Sequence, residues 1–286
     1  MTINQGASQE AIQYHYDVGN DFYAPWLGPT MIYSAALWPD DRQAPCTLAE
    51  AQHAKLDWHI AGAGLAAGDR LLDIGCGWGG TMRRAVEQAE IGEAVGLTLS
   101  DAQADWIGGH HADAPISVQV RPWQDFGSAE PFDGIISIGA FEHFARPEMD
   151  RAAKIAHYAD FFRFCADNLK PGGSLSLQTI VWMNVQPEDE AKNLPLHIFP
   201  ESNLPHVGEV FEAAAPAFHP MRFHNRPRDY SRTLREWIRG LGNHRQELAA
   251  LADAETVKRY RNGFTGFVLG FENGVIGLTR YSFLKR

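Results

Sequence analysis

The 286-residue sequence predicts an α/β fold in which a mostly parallel sheet is covered by helices on both faces. Three observations carry that expectation. From Arg70 onward short β-rich runs alternate with stretches of helical spacing. Each run is apolar along most of its length, as a strand buried on both faces should be. The first run also passes directly into a glycine-rich loop that opens a helix.

Taken in order, residues 14–38 are dense in aromatics: Tyr14, Tyr16, Phe22, Tyr23, Trp26, Tyr33 and Trp38. They read either as a hydrophobic cap on the sheet or as an aromatic wall around a cationic cofactor or intermediate. Residues 47–67 have helical spacing. The strands are then Arg70–Ile74, 94–98, Ile116–Val120, Phe132–Ile138 and 174–180, with helices at 80–88, 100–110 and 147–168 between them. Pro171-Gly172-Gly173 reads as a tight turn entering the fifth strand. Pro187, Pro195, Pro200, Pro205, Pro216, Pro220 and Pro227 punctuate 181–230, which predicts an irregular lid over the core. Helices at 231–241 and 246–271 follow, and the apolar stretch 277–284 supplies an edge strand. The chain reads as one domain: a cap at 1–67, a ligand-binding core at 68–180, a lid insertion at 181–241, and a C-terminal helix and edge strand at 242–286.

Composition narrows the function classes. Hydrophobic residues make up 45% and charged ones 21%, and no run approaches the roughly 18 apolar residues of a membrane span. Residues 1–10 are polar and lack the basic and apolar regions of a secretory signal. Three scattered cysteines, Cys46, Cys76 and Cys165, suit a reducing compartment, and the expected location is the cytoplasm. With 25 basic and 35 acidic residues the net charge is −10, which argues against nucleic acid and against anionic membrane surfaces. The best local exception is 222–239, with six arginines among aromatics, which is also what the solvated face of a helix looks like. His110-His111-Ala112-Asp113 is the densest cluster of metal-binding residue types, but its spacing suits neither zinc nor a facial triad, so no metal is expected.

The loop Asp73-Ile74-Gly75-Cys76-Gly77-Trp78-Gly79-Gly80 matches G-x-G-x-x-G at Gly75, Gly77 and Gly80, a pattern that equally suits a nicotinamide or flavin cofactor. Two details favour a nucleoside carrying an amino acid. Asp73 stands two residues before the first glycine, where a carboxylate suits an ammonium better than a pyrophosphate. The second strand ends in Gly96-Leu97-Thr98-Leu99-Ser100, with no carboxylate to take the ribose of a dinucleotide.

Several blocks together resemble the cyclopropane-fatty-acid synthase and mycolic-acid cyclopropane synthase-like family of class I S-adenosylmethionine (SAM)-dependent methyltransferases. They are His15-Tyr16-Asp17-Val18-Gly19-Asn20-Asp21-Phe22-Tyr23, Met31-Ile32-Tyr33-Ser34, the glycine loop, Gly96 to Ser100, Ser137-Ile138-Gly139-Ala140-Phe141-Glu142-His143-Phe144 and Ile198-Phe199-Pro200. The resemblance implies a Rossmann-like fold with a seven-stranded, mostly parallel sheet. It also implies a SAM site made from Tyr33, Ser34, Asp73, Gly75, Gly77, Gly79, Thr98, Gln103, Trp123, Gln124 and Ile138. Gln124 stands where the family carries an acidic residue, and its side-chain carbonyl keeps an acceptor for the adenine.

The family's reaction moves a methyl group to an alkene, after which a bound bicarbonate removes a proton and the ring closes. Here the sequence departs from the pattern, with Ala35 in place of a cysteine and Gln178 in place of a histidine, while Glu142 and Tyr230 match and Ile138 still offers its backbone. A buried anion with too few donors is costly, so bicarbonate is not expected to bind. What is expected is C-methylation of a π-nucleophile through a carbocation, with Glu142 facing the methyl group, and with cyclisation following where an internal nucleophile captures the cation. Tyr14, His15, Tyr16, His143 and Tyr230 are the further candidates for the proton acceptor, and His15 with Glu142 is the favoured pair. The two replacements and the acidic surface favour a small hydrophobic metabolite, such as an indole or an isoprenoid. The alternative is an unsaturated lipid acyl chain. A nicotinamide oxidoreductase and a non-catalytic binding protein are the rivals from other classes, and a symmetric homodimer is the default assembly.

Overall fold

The computed structural model describes residues 18–41, 44–186, 189 and 202–286. Two helices, α1 (Asn20–Leu27) and α2 (Leu48–Gly62), precede β1 (Arg70–Ile74), α3 (Gly80–Ala89), β2 (Glu93–Thr98), α4 (Asp101–His110), β3 (Ile116–Val120) and β4 (Phe132–Ile138). Next come α5 (Arg151–Asn168), β5 (Leu169–Trp182), α6 (Val207–Ala214), β6 (Phe218–Asn225), α7 (Pro227–Asn243), α8 (Arg245–Leu251), α9 (Ala254–Glu272) and β7 (Ile276–Lys285). The strands form one seven-stranded sheet in the order β3-β2-β1-β4-β5-β7-β6. The first five are parallel, and β7 runs antiparallel to both β5 and β6. The mostly parallel α/β architecture expected of the sequence is therefore present. Leu71, Leu72, Ile135, Ile136, Leu175 and Leu177 are wholly buried, because helices cover both faces of the central strands.

Local chemistry sets several element ends. Thr47 and Glu50 form a reciprocal capping box at the start of α2. Helix α7 begins at Pro227, earlier than the apolar spacing suggests, because a proline fits the first helical position. The expected helix 246–271 is two helices, since the Asp253 carboxylate accepts from the Thr256 amide at 2.7 Å and starts α9 afresh. Pro171-Gly172-Gly173 lies inside β5, at a register irregularity against β4.

The main correction concerns the far edge of the sheet. Residues 277–284 do not form an edge; they lie in β7, between β5 and β6. The edge is β6, taken from the segment expected to be an irregular lid. Its residues after Phe218 are mostly exposed, so no apolar alternation marks it, and it accommodates Pro220 beside a register shift, which an edge strand permits. Helix α6 also falls within that segment and is pinned by a buried ion pair, Lys154 to Glu209 at 3.2 Å, while Lys154 also donates to the Leu204 carbonyl at 2.9 Å.

Of the aromatic-rich N-terminal segment, Tyr14 and Tyr16 lie outside the described residues. Phe22, Tyr23 and Trp26 are buried against α7 and α9, with Trp26 packing on Trp237 at 5.8 Å and on Phe264 at 5.6 Å between ring centres. The hydroxyls of Tyr23 and Tyr260 share a hydrogen bond of 2.7 Å. These three rings therefore act as a hydrophobic cap, and among the described residues of the group Tyr33 is the ring that reaches the ligand cavity. The arginine-rich stretch is not a free basic face: Arg226, Arg235 and Arg239 are paired with Asp40 and Asp229, Glu272 and Glu236 respectively. Arg222 and Arg232 lie over Trp58 and Trp38. Among the described residues no helix is long and apolar enough to cross a membrane.

Candidate functional site

At the carboxyl ends of β1, β2 and β4 the chain encloses a cavity of about 160 Å³. A ligand pocket in this position follows from the fold, because the strands end together while the loops leave in different directions. The floor is the glycine loop after β1. Gly75 has φ +80°, and a Cβ there would lie 2.5 Å from the Ala140 Cβ. Gly77 has φ +54° and no neighbour within 4 Å of a built Cβ, so the backbone itself forms the wall. Gly79, left-handed at φ +82°, is the N-cap of α3 and abuts His111. The amides of Gly75 and Cys76 both donate to the Leu97 carbonyl, at 2.9 and 3.0 Å, which ties the loop to the tip of β2.

The structure gathers Tyr33, Ser34, Gly75, Gly77, Thr98, Gln103, Trp123, Gln124, Ile138 and His143 around this one cavity. Thr98 donates to the Gln103 carbonyl oxygen at 2.6 Å, and Ser100 caps α4 through the Gln103 amide. Trp123 is held by edge contact with Phe161 at 5.5 Å. The Gln124 side-chain oxygen is buried with no hydrogen-bond partner, an acceptor that an exocyclic amine would satisfy.

Asp73, Gly79, Glu142 and Tyr230 do not line the cavity, and Tyr14, His15 and Tyr16 lie outside the described residues. Asp73 sits buried under the glycine loop with Oδ2 unpartnered. Burial pushes its carboxyl up to about 7, against the pull of Lys55 and a hydrogen bond from Thr81. Glu142 accepts from the Ile180 amide at 2.7 Å through Oε1, while Oε2 is buried with no hydrogen-bond partner. Burial likewise raises its carboxyl to about 7, the Ile180 amide opposing. His143 shares a 2.7 Å hydrogen bond with Ser202, and burial lowers its imidazole to about 4, so it is neutral at pH 7. The Tyr230 ring packs on Phe271 at 4.9 Å and against the edge of Trp237.

One cavity residue escapes a reading of the sequence. Lys55, fully buried on α2, points its ammonium into the site and donates to the Ser34 hydroxyl at 3.0 Å. Burial, with help from Arg280, lowers it to about 7, and Asp73 opposes that fall. Gln52, Lys55 and His59 form a buried polar stripe on a helix otherwise packed by Leu56, Trp58 and Ile60. A stripe at i, i+3 and i+7 made of polar residues is the signal that could have found it.

Of the positions implied for bicarbonate, Gln178 is spent on other partners. The Gln178 side-chain oxygen accepts from Arg280 Nε at 2.7 Å, and its amide faces the Ala35 carbonyl at 3.5 Å. Arg280, wholly buried on β7, also pairs with Asp229 at 3.2 Å and donates to the Ala36 carbonyl at 2.9 Å. The Gly139 amide, next to Ile138, donates to the Gln178 carbonyl at 3.0 Å. With Ala35 carrying no donor side chain and Gln178 bonded to Arg280 and facing the Ala35 carbonyl, these two positions offer little to a buried anion, while Glu142 Oε2 stays without a partner. Among the described residues no group of three or more His, Cys, Asp or Glu is placed to hold a metal ion.

The family described as mycolic acid cyclopropane synthetase matches residues 4–281. The chain belongs to that family. It is 35% identical to cyclopropane mycolic acid synthase 2 of Mycobacterium leprae, over 96% of this chain and 94% of the relative. Against the solved structure of the cyclopropane synthase MmaA2 from Mycobacterium tuberculosis it aligns with a TM-score of 0.86 at 34% identity, covering 98% of this chain and 99% of that one. Against mycolic acid cyclopropane synthase CmaA1, solved in complex with SAH and CTAB, the TM-score is 0.85 at 33% identity, covering 98% and 99%. As a member of the synthetase family the chain is a SAM-dependent methyltransferase, a reading that removes the nicotinamide and non-catalytic rivals.

The cavity suits that cofactor on its own evidence: its lining has a glycine cradle for the ligand and an orphaned acceptor at Gln124. Gly75→Ala is expected to cost about 1–3 kcal/mol from the positive φ alone. Contact with Ala140 adds to that, and the sum is read as a lower urea midpoint and weaker stabilisation by S-adenosylhomocysteine.

Proposed function

We propose that the chain transfers a methyl group from SAM to a carbon–carbon double bond of an unsaturated lipid acyl chain. The observation that carries this reading is full-length similarity to relatives named as cyclopropane mycolic acid synthases, and it moves the preference away from a small metabolite. When bound, the cofactor supplies an electrophilic methyl on a sulfonium. The chain's own part is to hold the nucleoside between Trp123, Gln124 and the glycine loop, so that the alkene meets the methyl in line. Glu142, one residue before cavity-lining His143, then faces the carbon that becomes positive and takes the proton whose loss closes a ring. In that step the C–H electron pair forms the new C–C bond and the proton passes to the carboxylate.

Incubation with methyl-labelled SAM and vesicles of unsaturated phospholipid tests this reading, with mass spectrometry of the released acyl chains. Transfer of label to the chains is the expected result. Label absent from them but present in an added indole or isoprenoid would defeat it. That second reading, a small hydrophobic metabolite, is favoured by one observation, the Gln178–Arg280–Asp229 assembly that takes up the place of the anion. Because that place is taken, turnover is expected to stay within about twofold when bicarbonate is stripped from the buffer and then restored, a change too small to reflect loss of a general base, which is typically worth about 10²- to 10⁴-fold.

A further inference from the structure

Lys55 presents a buried cation with too little to balance it. It is wholly enclosed, borders the cavity, and has the neutral Ser34 hydroxyl as its hydrogen-bond acceptor. An ammonium has three N–H donors, and a buried charge without a counter-ion is costly. Among the described residues Lys55 makes no ion pair. Asp73 is close enough to be felt electrostatically yet not in contact, and its Oδ2 lacks a donor. The other charged group that acts on Lys55 is Arg280, which is already bonded to Asp229. The site therefore holds an amine on α2 whose only acceptor among the described residues is neutral, and, beneath the cavity lining, an unpartnered carboxylate oxygen on β1. Ser34 lies on the positive side, gripped by Gln52 at its carbonyl and by Lys55 at its hydroxyl.

We propose that Lys55, with the Ser34 hydroxyl to which it is bonded, is a clamp for the α-carboxylate of the cofactor's amino-acid end. This rests on the reading of the cavity as the SAM site. The clamp explains why a lysine is tolerated in the interior: the ligand carries the carboxylate that the protein lacks. It also gives the site a means of telling the cofactor from nucleosides without an amino acid, since such a ligand would leave the Lys55 amine unsatisfied.

Calorimetry on the full chain with S-adenosylhomocysteine and with 5′-methylthioadenosine, which keeps the nucleoside thioether and lacks the amino acid, tests the assignment. Lys55→Gln is expected to weaken S-adenosylhomocysteine by about 10- to 100-fold, the value of a charged hydrogen bond, while leaving methylthioadenosine within about twofold. Equal losses for both ligands, or no loss for either, would overturn it. Should Lys55→Gln not fold, the wild-type chain answers with decarboxylated S-adenosylhomocysteine, which is expected to bind about 10- to 100-fold more weakly than the parent; equal binding overturns the assignment. If the wild-type chain binds none of these ligands, the cofactor reading of the cavity fails with it, an outcome distinct from a carboxylate-blind site.

Discussion

Asp229→Ala is expected to lower the unfolding free energy by about 3–5 kcal/mol, the usual cost of stranding one member of a buried ion pair. Asp229 lies on the first turn of α7 and accepts from both Arg226 and Arg280. Without it the Arg280 guanidinium keeps neutral acceptors, Gln178 and the Ala35 and Ala36 carbonyls, in a buried place. Burial lowers that guanidinium to about 10 even with Asp229 holding it up, so Asp229 is the group that supports its charge in the wild-type chain. Thermal unfolding should fall by roughly 10 °C for a chain of this size. The double change Asp229→Leu with Arg280→Met should recover a large part of the loss, since apolar replacement of a whole buried pair is often neutral. A double variant as unstable as Asp229→Ala would mean that the hydrogen bonds to Gln178 and Ala36 matter more than the charge.

The second large effect concerns Glu142. Glu142→Gln is expected to reduce kcat by about 10²- to 10⁴-fold, the range for loss of a general base, with S-adenosylhomocysteine affinity unchanged because the side chain lies outside the cofactor cavity. The ionised carboxylate is the competent form, so wild-type kcat should rise with pH through about 7 and the variant should lose that limb. Stability runs the other way. The folded value stands above the ordinary 4.5, so the folded chain binds this proton more tightly than the unfolded one. The contribution is complete below 4.5 and is lost as pH rises through about 7, and Glu142→Gln should remove that slope. A variant that keeps the wild-type pH profile in kcat would place the proton acceptor elsewhere.

What could be read from the sequence follows physical scale. Strands β1 and β4 have the bounds that their apolar runs suggest, because a strand buried on both faces is written locally, residue by residue, and β3 keeps its expected bounds although it is a partly exposed edge. Strand β6 was hidden, since its exposed residues carry no alternation and its place depends on β7, far along the chain. The inward position of β7 was hidden for the same reason: apolar composition marks a strand, but antiparallel insertion between two others is a tertiary fact. At the site, the glycines of the loop were legible because their backbone angles exclude other residues. Lys55 was not, because a buried charge breaks the apolar periodicity by which buried positions are recognised. The direction of Glu142, with one oxygen on the Ile180 amide, depends on a strand 38 residues away.

The sheet order also has a consequence for how the molecule is made. Strand β7 follows the other six strands of the sheet in the chain, yet β6 has no other neighbour in the sheet and β5 has its second edge covered only by β7. Until β7 arrives, a nascent chain on the ribosome leaves one edge of β5 and the whole of β6 unpaired, the kind of surface on which chains adhere to one another. Expression at low temperature or with chaperones that shield such edges should therefore raise the yield of folded product.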